Sequence, residues 1–342
     1  MPKIFYSKLT KKQLTSRTGD MLQFGGIRIA ELADGRERGV RIADIRTGTG
    51  LNYTVVPDRA MDIAYAEYKG MPLCYISPTG ITHPSYYNPA GLEWLYSYNV
   101  GLLNTCGLTY FGAPCTDNGQ QLGIHGRLGN TPARNVAVKN EWVGDDYKFS
   151  ITGIMVEAAI FNSNLWMTRK ISGTLGTAKI FIEDTVENRA DTKKEFMMLY
   201  HTNLGYPLLS EESKLIIPSV KITPRDAEGA KGLNTWQKMH TPVRGYKEQV
   251  FYHKLRTAKD GTVRVGIENK RLGIRFYIKY NTSQLPCFIQ WKMLGEGTYV
   301  LGLEPGTNFV EGRAKERAEG RLRYLKPGEK RTINIEYGVE EI

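Results

Sequence analysis

Two of the five histidines in this 342-residue chain stand where an imidazole could do chemistry. His125 lies in the glycine-rich run 118–130, and glycines permit the close backbone approach that binding loops need. His201 lies in an apolar, strand-like segment, 196–206, where a buried imidazole requires a hydrogen-bonding partner. Each is also compatible with a structural role, as a turn histidine or a satisfied core histidine. No chemical role is predicted for the others, which stand in polar, loop-like contexts: His83, His240 and His253.

A carboxylate at the end of a predicted strand is the third candidate. Residues 299–308, YVLGLEPGTN, predict a strand that ends in a turn, with Glu304 at the junction. Between Leu303 and Pro305 the carboxyl group would be partly desolvated, which raises its pKa toward that of a useful general base. A turn-capping role is the alternative interpretation of Glu304, and Glu311 is its nearest rival as a base.

The elements that must position these residues are predicted to be strands. Apolar and polar residues alternate along 148–152, 262–267, 271–279 and 331–337, the pattern of strands with one buried face. The residues predicted to point inward in the last two segments are Leu272, Ile274, Phe276, Ile278, Ile333, Ile335 and Tyr337. Twenty Tyr and 36 Gly fit many strands joined by tight turns. The sequence therefore predicts an all-β protein, a large twisted β-sandwich from about residue 20 to the C terminus with a few short helices.

Helix signals are few. Residues 10–13, TKKQ, resemble a capping box that opens a short helix, and Asn88-Pro89 could begin another with Pro at its first position. No linker, internal repeat or low-complexity tract interrupts the chain, and the Gly- and Pro-containing stretch 223–235 is short enough for a surface loop. We therefore predict a single domain over residues 1–342, with 1–20 as a helical or extended lead-in.

The charge distribution argues against a nucleic-acid partner. The chain carries 46 Lys+Arg and 35 Asp+Glu, a formal net charge of +11, but the excess is scattered and no run of five like charges occurs. A positive field of this kind would attract anionic sugars.

Cysteine usage and hydropathy indicate the cellular compartment and whether a metal or a membrane segment is expected. The four cysteines show neither CxxC pairing nor metal-ligand spacing, as expected for a reduced intracellular protein. The N-terminal residues lack the apolar stretch of a signal peptide, and no apolar run is long enough for a transmembrane helix. We expect a cytoplasmic protein with no cofactor, no metal and no membrane partner.

Three motifs, in chain order, resemble the signature of the aldose 1-epimerase and galactose-mutarotase family: His125-Gly126, His201-Thr202 and Leu303-Glu304-Pro305. Two further elements resemble a bacterial branch of unknown function within that family. They are the Arg59-x-Met61-Asp62 element and the run NTCG at 104–107. Together the resemblances extend from about residue 56 to 310, most of the chain.

Some positions depart from the family pattern. Many mutarotases have Asn before the second histidine, where this chain has Tyr200. Sugar-phosphate mutarotases place an Arg a few residues beyond the His-Gly pair, whereas Arg127 follows it directly. Residues 305–307, Pro-Gly-Thr, replace the glutamine-containing turn of galactose enzymes. The resemblance therefore implies the fold and the acid/base residues but does not identify the sugar.

The resemblance implies an enzyme that interconverts sugar anomers through acid/base opening of the ring. Glu304 would be the base that takes the proton of the C1 hydroxyl, and His201 the acid that protonates the ring oxygen. His125 would hold the ring oxygen or an adjacent hydroxyl. The residues expected to bind the hydroxyls, a carboxylate or the face of the sugar are Arg59, Asp62, Arg127 and Trp291. The expected ligand is a small sugar or sugar acid, and homodimerisation is left open.

Two other functions fit the same sequence features. An epimerase, hydrolase or lyase acting on a keto-sugar or cyclitol could use the same Glu–His pair. A non-catalytic carbohydrate-binding protein could use the same fold, although it would not require Glu304 and both histidines to converge. A metal site formed by His125, His201 and Glu304 stays open as a minor alternative, although no HxH or HxxxH spacing supports it.

Overall fold

Antiparallel strands dominate the computed structural model, which describes residues 1–4 and 7–342. The strands are β1 (Lys3–Ile4), β2 (Ser7–Lys8), β3 (Gly26–Glu31), β4 (Arg41–Arg46), β5 (Leu51–Val56), β6 (Asp62–Tyr68), β7 (Met71–Pro72), β8 (Leu103–Leu108), β9 (Cys115–Asp117), β10 (Gln120–Leu122), β11 (Arg134–Val143), β12 (Asp146–Ala158), β13 (Asn164–Thr174), β14 (Lys179–Asn188), β15 (Lys194–Gly205), β16 (Lys214–Ile216), β17 (Ser219–Pro224), β18 (Gln249–Leu255), β19 (Thr262–Asn269), β20 (Ile274–Asn281), β21 (Cys287–Gly295), β22 (Thr298–Gly306), β23 (Arg323–Leu325) and β24 (Lys330–Glu341). The α-helices are α1 (Lys11–Thr15), α2 (Ala227–Lys231) and α3 (Arg313–Ala318). Short 3-10 helices span Met21–Gln23, Gly35–Glu37, Pro84–Tyr86, Glu93–Ser97, Leu128–Asn130 and Leu233–Thr235.

Two large sheets form the body of the described chain. The smaller is eight-stranded, in the order β11-β12-β13-β14-β24-β20-β19-β16. The larger is twelve-stranded, with the main path β17-β18-β21-β22-β15-β8-β6-β5-β4-β3; off this path, β7 pairs with β6 and β23 pairs with the start of β15. The prediction of an all-β protein with a few short helices is confirmed.

The main hydrophobic core draws on the inner faces of both sheets. In β24, Ile333, Ile335 and Tyr337 are buried as predicted, while the residues between them are more exposed. In β20 the predicted inward residues Ile274, Phe276 and Ile278 are buried as well. Strand alternation explains both patterns, because successive side chains point to opposite faces. Whether residues 1–342 fold as one unit stays a prediction.

A second core covers the outer face of the larger sheet. Met197, Leu199, Ile289 and Val300 of its central strands pack there with Trp94 and other residues of the loops. The central strands β15, β21 and β22 are therefore buried on both faces. The candidate site lies on this outer face.

The helix predictions met different outcomes. The capping box is confirmed, because Thr10 caps α1 and the Gln13 side chain accepts from the Thr10 backbone N–H. The helix predicted to begin at Pro89 is wrong. The chain there forms a 3-10 helix that begins at Glu93, and the Asn88 side chain instead accepts from the Ala90 N–H in a local turn. None of the helices in the described ranges is long and apolar enough to cross a membrane.

Candidate active site

The centre of the site is a pair of residues on neighbouring strands, His201 of β15 and Glu304 of β22. Leu199 pairs with Gly306 and Thr202 with Leu303, and this register sets His201 opposite Glu304 on the outer face of the sheet. His201 Nε2 lies 3.3 Å from Glu304 Oε1. Both residues are buried, with exposures of 5% and 1%. Glu304 thus lies inside its strand, deeper than the strand end predicted for it.

The carboxyl group of Glu304 fits because the position two residues before it is glycine. A Cβ at Gly302 would overlap Glu304 Oε1 and lie 3.0 Å from the Cβ of Trp291, its cross-strand partner. No hydrogen-bond donor of the described residues is aligned with Glu304 Oε1, although His201 is close. A buried carboxyl oxygen without a donor is costly unless a ligand supplies one.

His125 reaches the same place from a loop. Its backbone has φ +60°, in the left-handed region that is uncommon for residues other than glycine. Gly126 follows with φ +81°, and a Cβ there would overlap the carbonyl oxygens of Tyr110 and Gly107. The His-Gly pair is therefore a tight bend that only glycine completes. The His125 ring centroid lies 5.6 Å from that of His201, and the buried Nδ1 of His125 has no hydrogen-bond partner in the described chain.

These residues line a cavity of about 330 Å³. Its lining comprises Trp94, Leu95, Tyr98, Gly112, Ala113, Pro114, Ile124, His125, His201, Arg225, Glu248, Val250, Ile289, Trp291, Glu304 and Val310. Much of the wall is a continuous set of rings. Trp94 stacks on Tyr98 at 4.2 Å between centroids, and Trp291 lies edge-on to His201 at 5.3 Å. The structure thus brings His125, His201, Glu304 and Trp291 together, with apolar surface around them.

A charged network forms one edge of the cavity. Glu248 accepts hydrogen bonds from Trp291 Nε1 at 2.7 Å and from Arg225 at 2.9 Å. Arg225 also donates to Asp226 at 2.9 Å. Because two carboxylates share this guanidinium, its charge is neutralised within the protein, and the network fixes the Trp291 ring.

Burial sets the protonation preferences of the pair. It raises the pKa of Glu304 well above its ordinary value, with a further rise from Glu248 and an opposing effect of Arg225. It lowers the pKa of His201 well below its ordinary value, reinforced by His125 and opposed by the hydrogen bond with Asn203. Both shifts move a proton shared by the pair toward the carboxyl group. Burial likewise lowers the pKa of His125 to about 4, with a smaller contribution from Arg225.

Arg59 does not line this cavity. It is 3% exposed, and its guanidinium donates to the carbonyl oxygens of Gly129 at 2.7 Å, Thr82 at 3.1 Å and Ser97 at 2.8 Å. The Ser97 carbonyl ends the 3-10 helix that carries Trp94, and Gly129 follows the His125 bend. Arg59 therefore ties together the loops that form the cavity wall, and its N–H groups are not presented to a sugar.

Asp62 also lies away from the cavity. Its carboxylate accepts from the Thr105 N–H at 2.8 Å and from Arg169 at 2.9 Å, inside the sandwich. The substrate-binding roles predicted for Arg59 and Asp62 thus do not fit where the structure places them. Membership of a sequence motif could not show where these side chains point, because a charged side chain can also find its hydrogen-bond partners in the protein interior.

Of the two remaining substrate-binding candidates, only one lies at the cavity. Trp291 lines the cavity, whereas Arg127 is exposed in a different, polar cavity next to it. Of the histidines given no role, His253 is buried within β18 and hydrogen-bonded to Ser219 and Gln290, so its predicted loop context is wrong.

Sequence reasoning did not single out several residues of the cavity: Trp94, Tyr98, Arg225 and Glu248. The hydroxyl of Tyr98 lies 3.3 Å from His201 Nδ1 and donates to Asn203. None of these residues belongs to a recognisable motif, and only the folding of their loops over the sheet brings them to the cavity. Within residues 1–4 and 7–342, no group of three His, Cys, Asp or Glu side chains is placed to hold a metal ion.

Comparison with known proteins gives one family match. The model of a family described as a domain of unknown function, DUF4432, matches residues 37–339. No protein of curated function matches the chain.

Several solved structures share the fold. A Klebsiella pneumoniae protein provisionally assigned as an aldose 1-epimerase superposes with a TM-score of 0.87 at 28% identity, over 92% of this chain and 83% of that one. A galactose mutarotase-like protein from Clostridium acetobutylicum gives 0.64 at 13% identity, over 93% and 99% of the two chains. The galactose 1-epimerase of Lactobacillus acidophilus gives 0.58 at 11% identity, over 93% and 99%.

Proposed function

Because the chain belongs to the DUF4432 family and has the galactose mutarotase-like fold, we propose that it is an aldose 1-epimerase, which interconverts sugar anomers by acid/base ring opening. The observation that carries the proposal is the close approach of His201 Nε2 and Glu304 Oε1 on the floor of a ring-lined cavity. At about 330 Å³, the cavity is at the small end of the roughly 300–1,000 Å³ typical of small-molecule sites. This size suits a single sugar unit.

Ring opening of a cyclic hemiacetal requires two proton transfers. A base removes the proton of the C1 hydroxyl while an acid donates a proton to the ring oxygen, and the C1–O5 bond breaks. Rotation about C1–C2 and reclosure on the other face give the second anomer, with the two residues exchanging roles. Glu304 is the base and His201 the acid for the opening step. Each positioned transfer contributes about 10²- to 10⁴-fold in rate.

The unfilled hydrogen-bonding capacity of the cavity matches this chemistry. Glu304 Oε1 lacks an aligned donor, and a C1 hydroxyl is a donor. The buried Nδ1 of His125 lacks a partner too, and a ring oxygen or neighbouring hydroxyl can supply one. Trp94 and Trp291 offer aromatic faces for the C–H surface of the sugar.

Substrate binding must shift the proton that the pair shares. Burial by itself favours a protonated Glu304 and a neutral His201. A sugar hydroxyl donating to Glu304 stabilises the carboxylate, and the carboxylate then stabilises the imidazolium 3.3 Å away. The active form thus appears on binding, and the pair acts as a unit holding one proton.

The direct test is anomer exchange measured by NMR on freshly dissolved aldoses, with keto-sugars and cyclitols in parallel. We expect line exchange between the two anomers at a rate proportional to protein concentration. Conversion of a keto-sugar or cyclitol without anomer exchange would favour the epimerase, hydrolase or lyase alternative. Sugar binding without any turnover would favour a carbohydrate-binding protein.

A methyl group at position 302 should separate activity from folding. In Gly302→Ala the added Cβ overlaps Glu304 Oε1, and this oxygen must leave the position it holds 3.3 Å from His201 Nε2. We expect a fall in kcat of at least about tenfold, because a proton transfer depends on the donor–acceptor distance. The melting temperature should fall modestly, because the Trp291 Cβ at 3.0 Å must shift slightly, and this fall should be small beside the loss of kcat.

Gly19→Ala is the matched control, because nothing lies within 4 Å of a Cβ at that position. It should leave both kcat and the melting temperature unchanged. Anomer exchange at the wild-type rate in Gly302→Ala would show that catalysis does not depend on the position of the Glu304 carboxyl group.

Acidification should destabilise the fold through His125. Its pKa is about 4 in the folded protein against 6.5 as a free side chain, so the unfolded state binds the proton first. Stability from this group is present above pH 6.5 and is lost as the pH falls to about 4. At about 1.4 kcal/mol per pKa unit, the loss reaches roughly 3 kcal/mol.

The measurement is urea unfolding of the wild type and His125→Asn at pH 7 and pH 4. The difference between their pH-dependent losses reports His125 together with its smaller effect on the pKa of His201, which also disappears in the variant. The wild type should lose more stability than the variant. Equal losses would mean that the imidazole is solvated in the folded state.

A further inference from the structure

A second cavity, of about 730 Å³, adjoins the segment that carries His125. His125 lines the cavity of about 330 Å³ proposed above to bind the sugar, here called the sugar cavity, while Arg127, two residues later, lines this second one. Its other walls come from the chain after β8, the β9–β10 and β12–β13 hairpins, the residues around the start of β15 and the start of α3. It shares no lining residue with the sugar cavity, so the two are separate sites.

The carboxylates of the second cavity already have partners. Asp117 accepts from both arginines of α3, at 2.6 and 2.8 Å. Glu157 accepts from the backbone N–H of Leu108 at 2.7 Å. Glu195 accepts from an arginine of α3 at 2.6 Å. Asp117 and Glu195 are thus neutralised by arginines, whereas no cation of the described residues pairs with Glu157, which also accepts from the Thr109 hydroxyl. The cations of the lining still outnumber its carboxylates, with Arg127, Lys193, Lys194 and Arg313 against Asp117, Glu157 and Glu195.

Three cations of the same cavity lack a carboxylate partner. Within the described chain, no carboxylate forms an ion pair with Arg127, Lys193 or Lys194. Lys193 lies over the ring of Tyr324, with its ammonium 4.9 Å from the centroid, a contact that keeps its charge. The lining also contains neutral donors with unused side-chain capacity: Asn118, Asn162 and Ser163.

We propose that this second cavity binds a phosphate-type dianion. Unpaired positive charge and N–H donors that line one cavity are what an oxyanion requires, and a guanidinium can bind two of its oxygens at once. The ligand is either free phosphate or the phosphate of a monoester, since both present the same oxygens. The sugar cavity offers no comparable site, because its one guanidinium, that of Arg225, is shared by two carboxylates.

Calorimetric titration with inorganic phosphate, at constant ionic strength against chloride, tests the proposal on the full chain. We expect saturable binding of one phosphate per chain. Arg127→Gln should weaken it at least tenfold and Lys194→Gln at least threefold. Lys279→Gln is the matched control, because this lysine lines a different surface cavity, and its phosphate affinity should equal that of the wild type.

Two further titrations locate the ligand. Methyl phosphate binding as tightly as phosphate indicates a monoester site, and binding of phosphate alone indicates a free-anion site; both support the dianion site. His201→Asn, which alters only the sugar cavity, should leave phosphate binding intact. The proposal is overturned if phosphate does not saturate, if Lys279→Gln weakens binding as much as Arg127→Gln, or if His201→Asn abolishes it. All of these measurements report phosphate binding, so they are independent of whether the protein catalyses anomer exchange.

Discussion

Glu304→Gln should lower kcat by at least ~10², the usual contribution of a positioned general base. The amide keeps the size of the side chain and stays in β22 opposite His201, but it cannot accept the C1 hydroxyl proton. Because burial already favours an uncharged group at this position, the neutral amide should not destabilise the fold. We expect the melting temperature to be equal to or above that of the wild type.

The matched control is Glu311→Gln, a change at the nearest rival carboxylate. Glu311 accepts from Tyr252 at 2.7 Å and from Lys315 at 2.7 Å, and it does not line the sugar cavity. Its kcat should remain within about twofold of the wild type. Anomer exchange at the wild-type rate in Glu304→Gln would refute the base assignment, whatever the result for Glu311.

Arg169→Met should lower the free energy of unfolding by about 3–5 kcal/mol, the usual cost of removing one partner from a buried ion pair. Arg169 is fully buried between the sheets and donates to Asp184, Asp62, the Thr105 hydroxyl and the Ala60 carbonyl. Without it, two carboxylates remain in the interior with no cation. Burial already raises the pKa of Asp62 despite the opposing charge of Arg169.

Two further variants test whether the loss of stability comes from the buried ion pairs of Arg169. Lys179→Met removes an exposed ion pair with Glu336 and should cost less than about 1 kcal/mol in urea unfolding. Adding Asp184→Asn to Arg169→Met should recover part of the lost stability, because it removes one uncompensated charge. A loss in Arg169→Met no larger than that in Lys179→Met would show that the buried network contributes little to stability.

This network also changes the interpretation of the Arg59-x-Met61-Asp62 element. Sequence resemblance assigned Arg59 and Asp62 to the sugar, but Arg59 binds the cavity loops and Asp62 binds the β8 strand and Arg169. Both residues therefore hold elements that surround the cavity and do not line it. The element thus matters for the geometry of the cavity without facing it.

The sequence alone determined the features that depend on near neighbours. Alternation predicted the strands and their inward residues, since side-chain direction has a period of two. The capping box of α1 needs only four consecutive residues. The chain order of His125, His201 and Glu304 identified the candidate site residues, but their roles remain predictions that rest on resemblance.

Only the tertiary structure decided which residues meet. His201 faces Glu304 because β15 and β22 pair in one register, and a shift by one residue would turn one of them into the core. Trp94, Arg225 and Glu248 reach the cavity through loops whose closure depends on distant contacts such as those of Arg59. Whether a charged residue faces a ligand or a buried partner is set by such long-range packing, so local sequence could not separate Trp291 from Arg59.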